Sequence, residues 1–368
     1  MSGRAQGGPD KIFLGLSILL LLAGVFVFTS ASFGLSNERE TWGSVLFSQL
    51  VLGLGGGLVL GFIGTIIPRV YLRNLAFYGL IIAIIANLII FIPGVGFSAG
   101  GATRWIHILG ISFQPSELLK LALVIFLASW LSRIKDDVRD LKFGLAPFLV
   151  LMSVVAGLML AEPDTGTFAI MLGTAFVMFF SAGAKISHLA SMCFGALLLL
   201  AILIFTRPYV KSRIMVFLDP SRDPTDQGYQ IQQSLLAVGS GRLSGRGFGQ
   251  SLQKFSYLPE PTGDSIFAIL GEEFGFLGTT LILVLFAGYC LRGLRIAHRA
   301  ISSFDRLLVI GLVIMTSIQA FMHIGAATGL LPLTGVPLPF ISHGGTALMF
   351  SLISIGLVLK VSRNIKQE

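Results

Sequence analysis

The chain has 368 residues, 54% of them hydrophobic and 12% charged, with a mean hydropathy of +0.86. Soluble domains carry about 25% charged residues, so a soluble enzyme, a nucleic-acid binder and a disordered chain are all disfavoured. The balance of 26 basic against 18 acidic side chains therefore reads first as membrane topology. Cys193 and Cys290 lie in separate apolar runs and suggest neither a disulfide framework nor a metal site.

A helix needs about 20 apolar residues to cross a bilayer core. Such stretches occur near 12–32, 46–67, 74–93, 115–132, 143–161, 166–184, 187–206, 266–291, 306–327 and 345–362, which predicts ten spans. Ser30-Ala31-Ser32 resembles a signal cleavage site, but the apolar core before it is long for a signal peptide, so the first span is expected to stay. In the second, Gly53, Gly57 and Gly61 recur every fourth residue and predict close packing of a neighbouring helix.

Ten spans put both termini on one side. If that side is cytoplasmic, the inner segments collect 16 basic residues from Arg4 to Lys366, against Arg39 and Arg104 in the short outer loops. The expectation is an all-α polytopic membrane protein. It has ten transmembrane helices, cytoplasmic termini, and a single domain over 1–368 with a large extracytoplasmic loop, 207–265, between helices 7 and 8.

Four ionisable residues fall within or at the edge of spans: Glu117, Lys120, Glu272 and Glu273. Unpaired, each would cost roughly 2.5–3.5 kcal/mol at the bilayer centre. Glu117 and Lys120 stand three apart on one helical face, suited either to a structural ion pair or to lining a polar cavity.

The loop 207–265 holds two amphipathic pieces, 209–218 with Lys211 and Arg213, and a second marked by Ile231, Leu235 and Val238. Between Gly239 and Gly249 come five glycines and two arginines, a pattern that fits a flexible hinge or a backbone approach to an anion, with Arg242 and Arg246 as forks. The loop ends at Asp264, placed both to cap the next helix and to act as a general base at the membrane surface. Two further outer segments, 94–114 and 329–345, are rich in helix breakers. The second is apolar with three prolines, which predicts a segment dipping into the bundle.

At these segments the chain resembles the SEDS family (shape, elongation, division and sporulation) from about residue 12 to 362. The resemblance is carried by Thr103-Arg104-Trp105 with Gln114-Pro-Ser-Glu117 and Lys120, then by Glu162-Pro-Asp164-Thr-Gly-Thr. It continues through Gly228–Gly241, Tyr257–Asp264, Ile266–Gly275 and Pro337–Gly345. The block from Gln232 to Pro261 looks more like the division branch, FtsW, than the elongation branch, RodA. The chain departs from the family at Gly263-Asp264-Ser265, where Thr-Asp-Phe is usual, and at His343, where a tyrosine is usual and histidine reads as its hydrogen-bonding replacement.

The resemblance implies a peptidoglycan glycosyltransferase that polymerises lipid II at the outer face of the bacterial cytoplasmic membrane, by inverting transfer with undecaprenyl diphosphate as leaving group. It implies Asp264 as catalytic base. Substrate contacts would come from Arg104, Trp105, Arg213, Arg242, Arg246, Lys254 and Glu260, with Glu162, Asp164, Glu272, Glu273 and His343 shaping the cavity alongside Glu117 and Lys120. An apolar groove between spans should hold the prenyl tail. Mg²⁺ or Mn²⁺ would suit the diphosphate, with metal ligands unknown and no nucleotide or nucleic acid involved. A class B penicillin-binding protein and divisome membrane proteins are the implied partners, at the septum for the division branch. A lipid II flippase and a non-catalytic scaffold for that transpeptidase are the rival readings.

Overall fold

The computed structural model describes residues 8–35, 39–99, 102–108, 111–255 and 257–365. Arg4, Gly100, Gly101 and Lys366 of the expectations above lie outside these residues. Each expected span falls on a helix. These are α1 (Lys11–Ser32), a π-wound stretch (Phe47–Gly56) continuing as α3 (Gly57–Ile66) behind the short α2 (Arg39–Leu46), α4 (Arg69–Ile89) and α5 (Pro115–Ile134). They continue with α6 (Ala146–Ala161), α7 (Thr165–Ser181), α8 (Ile186–Thr206), α11 (Ile266–His298), α12 (Ser303–Ala327) and α13 (Gly345–Ser362). Among the described residues eight helical segments are long and apolar enough to cross a membrane, while α7 is apolar but shorter. The protein is a multi-pass membrane protein.

One element departs from an all-helical plan. The breaker-rich segment after α4 folds as an antiparallel meander of β1 (Gly96–Ala99), β2 (Ala102–Ile108) and β3 (Ile111–Phe113). Period-2 patterning over such short strands is masked by the apolar residues around them.

Helix α12 is the axis of the bundle, buried along most of its length and packed against α5, α7, α11 and α13. The glycine stripe does what its spacing predicts. A Cβ at Gly57 would stand 3.0 Å from Met349 Cα, and one at Gly61 2.7 Å from the Leu352 carbonyl, so α3 and α13 approach backbone to backbone. At one end of the bundle Arg292 pairs with Asp10 at 2.6 Å, Arg69 pairs with Asp305, and Lys360 reaches the Thr65 carbonyl at 3.4 Å. These groups belong to the expected inner face.

The intramembrane charges are held by partners. Lys120 Nζ lies 2.8 Å from Glu117 Oε1 and donates to Gln319 Oε1 at 2.8 Å, and Gln319 Nε2 donates to the Pro337 carbonyl at 2.9 Å. The i,i+3 pair is thus a post that anchors the segment 329–344 inside the bundle. His323 contacts the Val336 carbonyl at 2.8 Å, and Gln49 bonds both Ser342 O and Gly344 N. That segment dips inward as its prolines predicted, with Val336, Leu338, Phe340 and Ile341 buried.

Helix α11 is broken at Gly275, whose φ of 62° and ψ of −159° interrupt the spiral. The glycine-rich segment explains how the break is tolerated. Phe276 N donates to Arg242 O at 2.8 Å and Leu277 N to Leu243 O at 3.1 Å, while Arg246 N and Gly247 N donate to Glu272 O and Glu273 O. The freed backbone groups of one segment satisfy those of the other. Only glycines allow this approach, because a Cβ at Gly245 would meet Glu273 O at 2.1 Å, and Gly245 itself has φ of 79°. The segment is neither a hinge nor an anion cradle but the docking piece of a broken helix.

The same contact decides the fate of two carboxylates. Glu273 accepts from Lys254 Nζ at 2.7 Å, from Ser30 Oγ at 2.7 Å and from Ser251 N at 3.3 Å. Glu272 accepts from Ser251 Oγ at 2.6 Å and from Leu252 N and Gln253 N, with Arg246 Nη1 at 3.3 Å.

The loop before α11 carries the two amphipathic helices, α9 (Pro208–Leu218) and α10 (Gln227–Ser240). The face that α10 buries includes Gly228, Ile231, Ser234 and Ala237; of the expected stripe Ile231 is buried and Val238 packs on Gly271 of α11, while Leu235 is exposed. The physical reason is the packing on α11, where a Cβ at Gly241 would meet Gly271 O at 1.9 Å. Glycines and Val238, not Leu235, make that contact.

Candidate active site

Asp264 is the last residue but one before α11. The helix is capped at Ser265, and no side-chain cap bond is made there, so the expected capping role of Asp264 is corrected. The turn is held by other groups. Ser265 Oγ donates to Pro259 O at 2.7 Å, Gln230 Nε2 donates to Ser265 Oγ at 3.3 Å, and Ser265 N and Gly263 N both donate to Glu260 O. Ser342 Oγ donates to Gly263 O at 2.9 Å and His343 N to Thr262 O at 2.7 Å, tying the turn to the dipping segment. The backbone is fixed from several sides while the Asp264 carboxylate stays out of these bonds.

Arg213 faces that carboxylate. A Cβ at Gly335 would stand 3.6 Å from Asp264 Oδ2 and 3.9 Å from Arg213 Nη2, so both groups converge on the point where Gly335 has no side chain. Gly335 has φ of 67°, a second reason for glycine there. Arg213 Nη1 makes long contacts to Thr165 Oγ1 at 3.5 Å and Thr334 O at 3.4 Å. Arg104, from β2, donates through Nε to Glu162 O at 3.2 Å and through Nη2 to Pro163 O. Asp164 caps α7 through Thr167 N at 3.1 Å. Residues from β2, the α6–α7 turn, α9, the turn before α11 and the dipping segment therefore meet at one place.

The charges there act on one another. Burial pushes the Asp264 carboxyl above the usual carboxylate range, Arg213 and Arg104 pull it down, and Asp164 adds to the upward push. Burial and the nearby Arg104 lower Arg213. Glu162, buried with neither carboxylate oxygen hydrogen-bonded, is pushed up to about 8 by burial and by Asp164, against the pull of Arg104. Its native state therefore holds a proton that the unfolded chain releases near pH 4.5, so stability falls as pH rises from there to about 8. Glu162→Gln is expected to remove that decline, a difference on the order of a few kcal/mol by pH 8, read as a higher unfolding temperature in detergent at pH 8 but not at pH 4.

From this cluster a groove of about 330 Å³ runs between α7, α8, α9 and the start of the dipping segment. Its walls include Phe168, Leu172, Leu199, Leu203 and Ile214, and its polar end is Thr165, Arg213 and Thr334. It is an apolar slot that ends at a guanidinium.

Other expected contacts are placed elsewhere. Lys254 is fully buried with its ammonium on Glu273 and Ser30, so it cannot reach a head group, and Arg246 is on Glu272. Arg242 is exposed at the end of α10, beside the break in α11. Glu260 is exposed, with φ of 49°. Trp105 is half-buried in β2, paired with Phe97, and Arg104 is the extra residue of a bulge beside it. Among the described residues His343 Nε2 has no hydrogen-bond partner, and the ring stacks on Phe28 at 6.3 Å. The sequence reading missed Tyr209, Thr165, Thr334 and Gly335. The odd glycine in a proline-rich segment was the one available signal.

Among the described residues no three His, Cys, Asp or Glu side chains converge as a metal would require.

A family profile described as cell cycle protein, FtsW/RodA/SpoVE, matches residues 10–367. The chain is 38% identical to the probable peptidoglycan glycosyltransferase FtsW of Geobacter sp. (strain M18), over 99% of both chains. It is also 38% identical to stage V sporulation protein E of Bacillus subtilis (strain 168), over 96% of this chain and 97% of that one. It superposes with a TM-score of 0.80 and 28% identity on a chain from a peptidoglycan synthase complex that coordinates polymerization and crosslinking, covering 98% and 99% of the two. The rod shape determining protein RodA of Thermus thermophilus matches with a TM-score of 0.68 and 27% identity, covering 98% of each. Full-length sequence matches and full-length superposition thus agree on one fold, and the chain belongs to the FtsW/RodA/SpoVE family.

Proposed function

We propose that the chain is a peptidoglycan glycosyltransferase that polymerises lipid II during cell division. The observation that carries this reading is a carboxylate released from helix capping, facing an arginine at the mouth of an apolar groove. The prenyl tail lies in the groove and its diphosphate meets Arg213, with Arg104 beside it. Asp264 takes the proton of the acceptor sugar's 4-hydroxyl as that oxygen attacks the donor's anomeric carbon. The bond to the diphosphate breaks on the opposite face, which inverts the configuration, and the diphosphate leaves as an anion. Burial raises Asp264 above an exposed carboxylate, which makes it a stronger base once ionised, and Arg213 favours the ionised form.

The positive-inside reading of ten spans with cytoplasmic termini would set this cluster at the outer face. The relatives' names and the superposed synthase complex support a crosslinking transpeptidase of the penicillin-binding class as partner, at the division septum. A flippase would need charged groups lining a path. Glu117, Lys120, Glu272 and Glu273 are instead buried in paired, hydrogen-bonded sets, which favours the enzyme reading.

The test is polymer formation from lipid II by the purified chain with its partner transpeptidase. Arg213→Ala is expected to lower kcat/KM by roughly 10²-fold or more, since a charge-assisted phosphate contact contributes about 1.5–3 kcal/mol and the arginine also keeps the base ionised. Wild-type chain that forms no glycan polymer would overturn the assignment.

A further inference from the structure

We propose that Tyr209 is a substrate-binding residue whose phenolic hydroxyl donates a hydrogen bond to the lipid-linked diphosphate held by Arg213. The inference rests on the glycosyltransferase reading and adds a neutral donor to its head-group site. Tyr209 lies in the first turn of α9, four residues before Arg213, so the two side chains share a helical face. Its hydroxyl is enclosed by protein, yet among the described residues no group is hydrogen-bonded to it. A buried hydroxyl without a partner is unfavourable and is rarely retained unless something else supplies the bond.

The charged groups that face it are Arg213 and Arg207 from α9, Arg104 from β2 and Asp164 at the start of α7. That is the environment of the proposed diphosphate, with three cations against one carboxylate. Burial holds the phenol above its ordinary value, so it stays a protonated donor over the range in which Asp264 works as a base. Arg104 is already committed to the Glu162 and Pro163 carbonyls, which leaves phosphate oxygens short of donors. A rotating O–H fills that gap. Diphosphate departs as an anion and needs no proton, so the phenol keeps its own throughout, and Tyr209 acts by binding and not as an acid.

The experiment measures direct binding of undecaprenyl diphosphate and of undecaprenol to the detergent-solubilised full chain, wild type and Tyr209→Phe, beside the polymerisation assay. The variant is expected to bind the diphosphate about tenfold more weakly, the alcohol equally well, and to raise KM more than it lowers kcat. Its unfolding temperature should be unchanged or higher, because only an unpartnered oxygen is lost. Tyr209→Leu serves as a second variant with the same ordering of the two ligands. Equal diphosphate affinity in wild type and Tyr209→Phe would overturn the assignment, as would an equal loss for both ligands, which marks a purely structural role. Because binding is read without turnover, a wild type that binds diphosphate through Tyr209 but makes no polymer fails the enzyme reading alone.

Discussion

Asp264→Asn is expected to reduce polymer formation from lipid II by 10²–10⁴-fold, the usual contribution of a positioned general base. Asparagine keeps the shape and loses the ability to take a proton. The change should spare the fold, because the turn around residue 264 is held by Ser265, Gln230, Ser342 and backbone bonds, and the helix cap does not use the Asp264 carboxylate. A carboxyl raised by burial also costs stability when ionised, so unfolding temperature should stay level or rise. Activity of the wild type should climb with pH as Asp264 loses its proton, and the variant should lack that limb. Undiminished polymer from Asp264→Asn, at matched protein folding, would remove Asp264 from the chemistry.

Lys254→Met should produce the largest loss of stability. The ammonium is the charge partner of a carboxylate that is 1% exposed, and removing it leaves Glu273 with only Ser30 and Ser251 N. Breaking a buried pair from one side costs about 3–5 kcal/mol. The effect should spread, because the segment 242–254 also satisfies the backbone of the broken α11. The double variant Lys254→Met/Glu273→Gln should recover most of the loss, since it leaves no uncompensated charge. Thermal unfolding of the three variants in detergent reads the coupling directly. A single variant as stable as wild type would show that the pair does not hold the segment in place.

Much of the architecture was legible in the chain. The spans were readable because a membrane-crossing helix must be apolar over a length that the bilayer sets, and the Gly57–Gly61 stripe because its period of four matches a helical face. The charged positions that need partners were readable too, but the partners were not. Glu272, Glu273, Arg246 and Lys254 are ordinary in a local window, and only long-range folding joined them, so two residues expected at the head group proved to be structural posts. The glycines from 239 to 249 signalled close backbone approach, but not to what. The answer, the break at Gly275, depends on a positive φ inside a helix that hydropathy reads as continuous.

The site divides in the same way. Asp264 was marked by its position before a span and by family resemblance, yet capping and catalysis share that position, and local sequence offers no means of separating them. The cap bond went unmade because Ser265 and its partners fixed the turn, and that outcome is tertiary. Arg104, Arg213, Asp164 and Gly335 come from four separate segments, and Tyr209 carried no signal at all. The sequence by itself determined that this chain lives in a membrane, which stretches are apolar enough to cross it and which connecting segments are irregular, because burial in lipid constrains each residue independently. Only the tertiary structure decided which of its few charges hold the bundle together and which face one another across the mouth of a groove, because charge pairing in a bundle is a property of packed segments and not of any one of them.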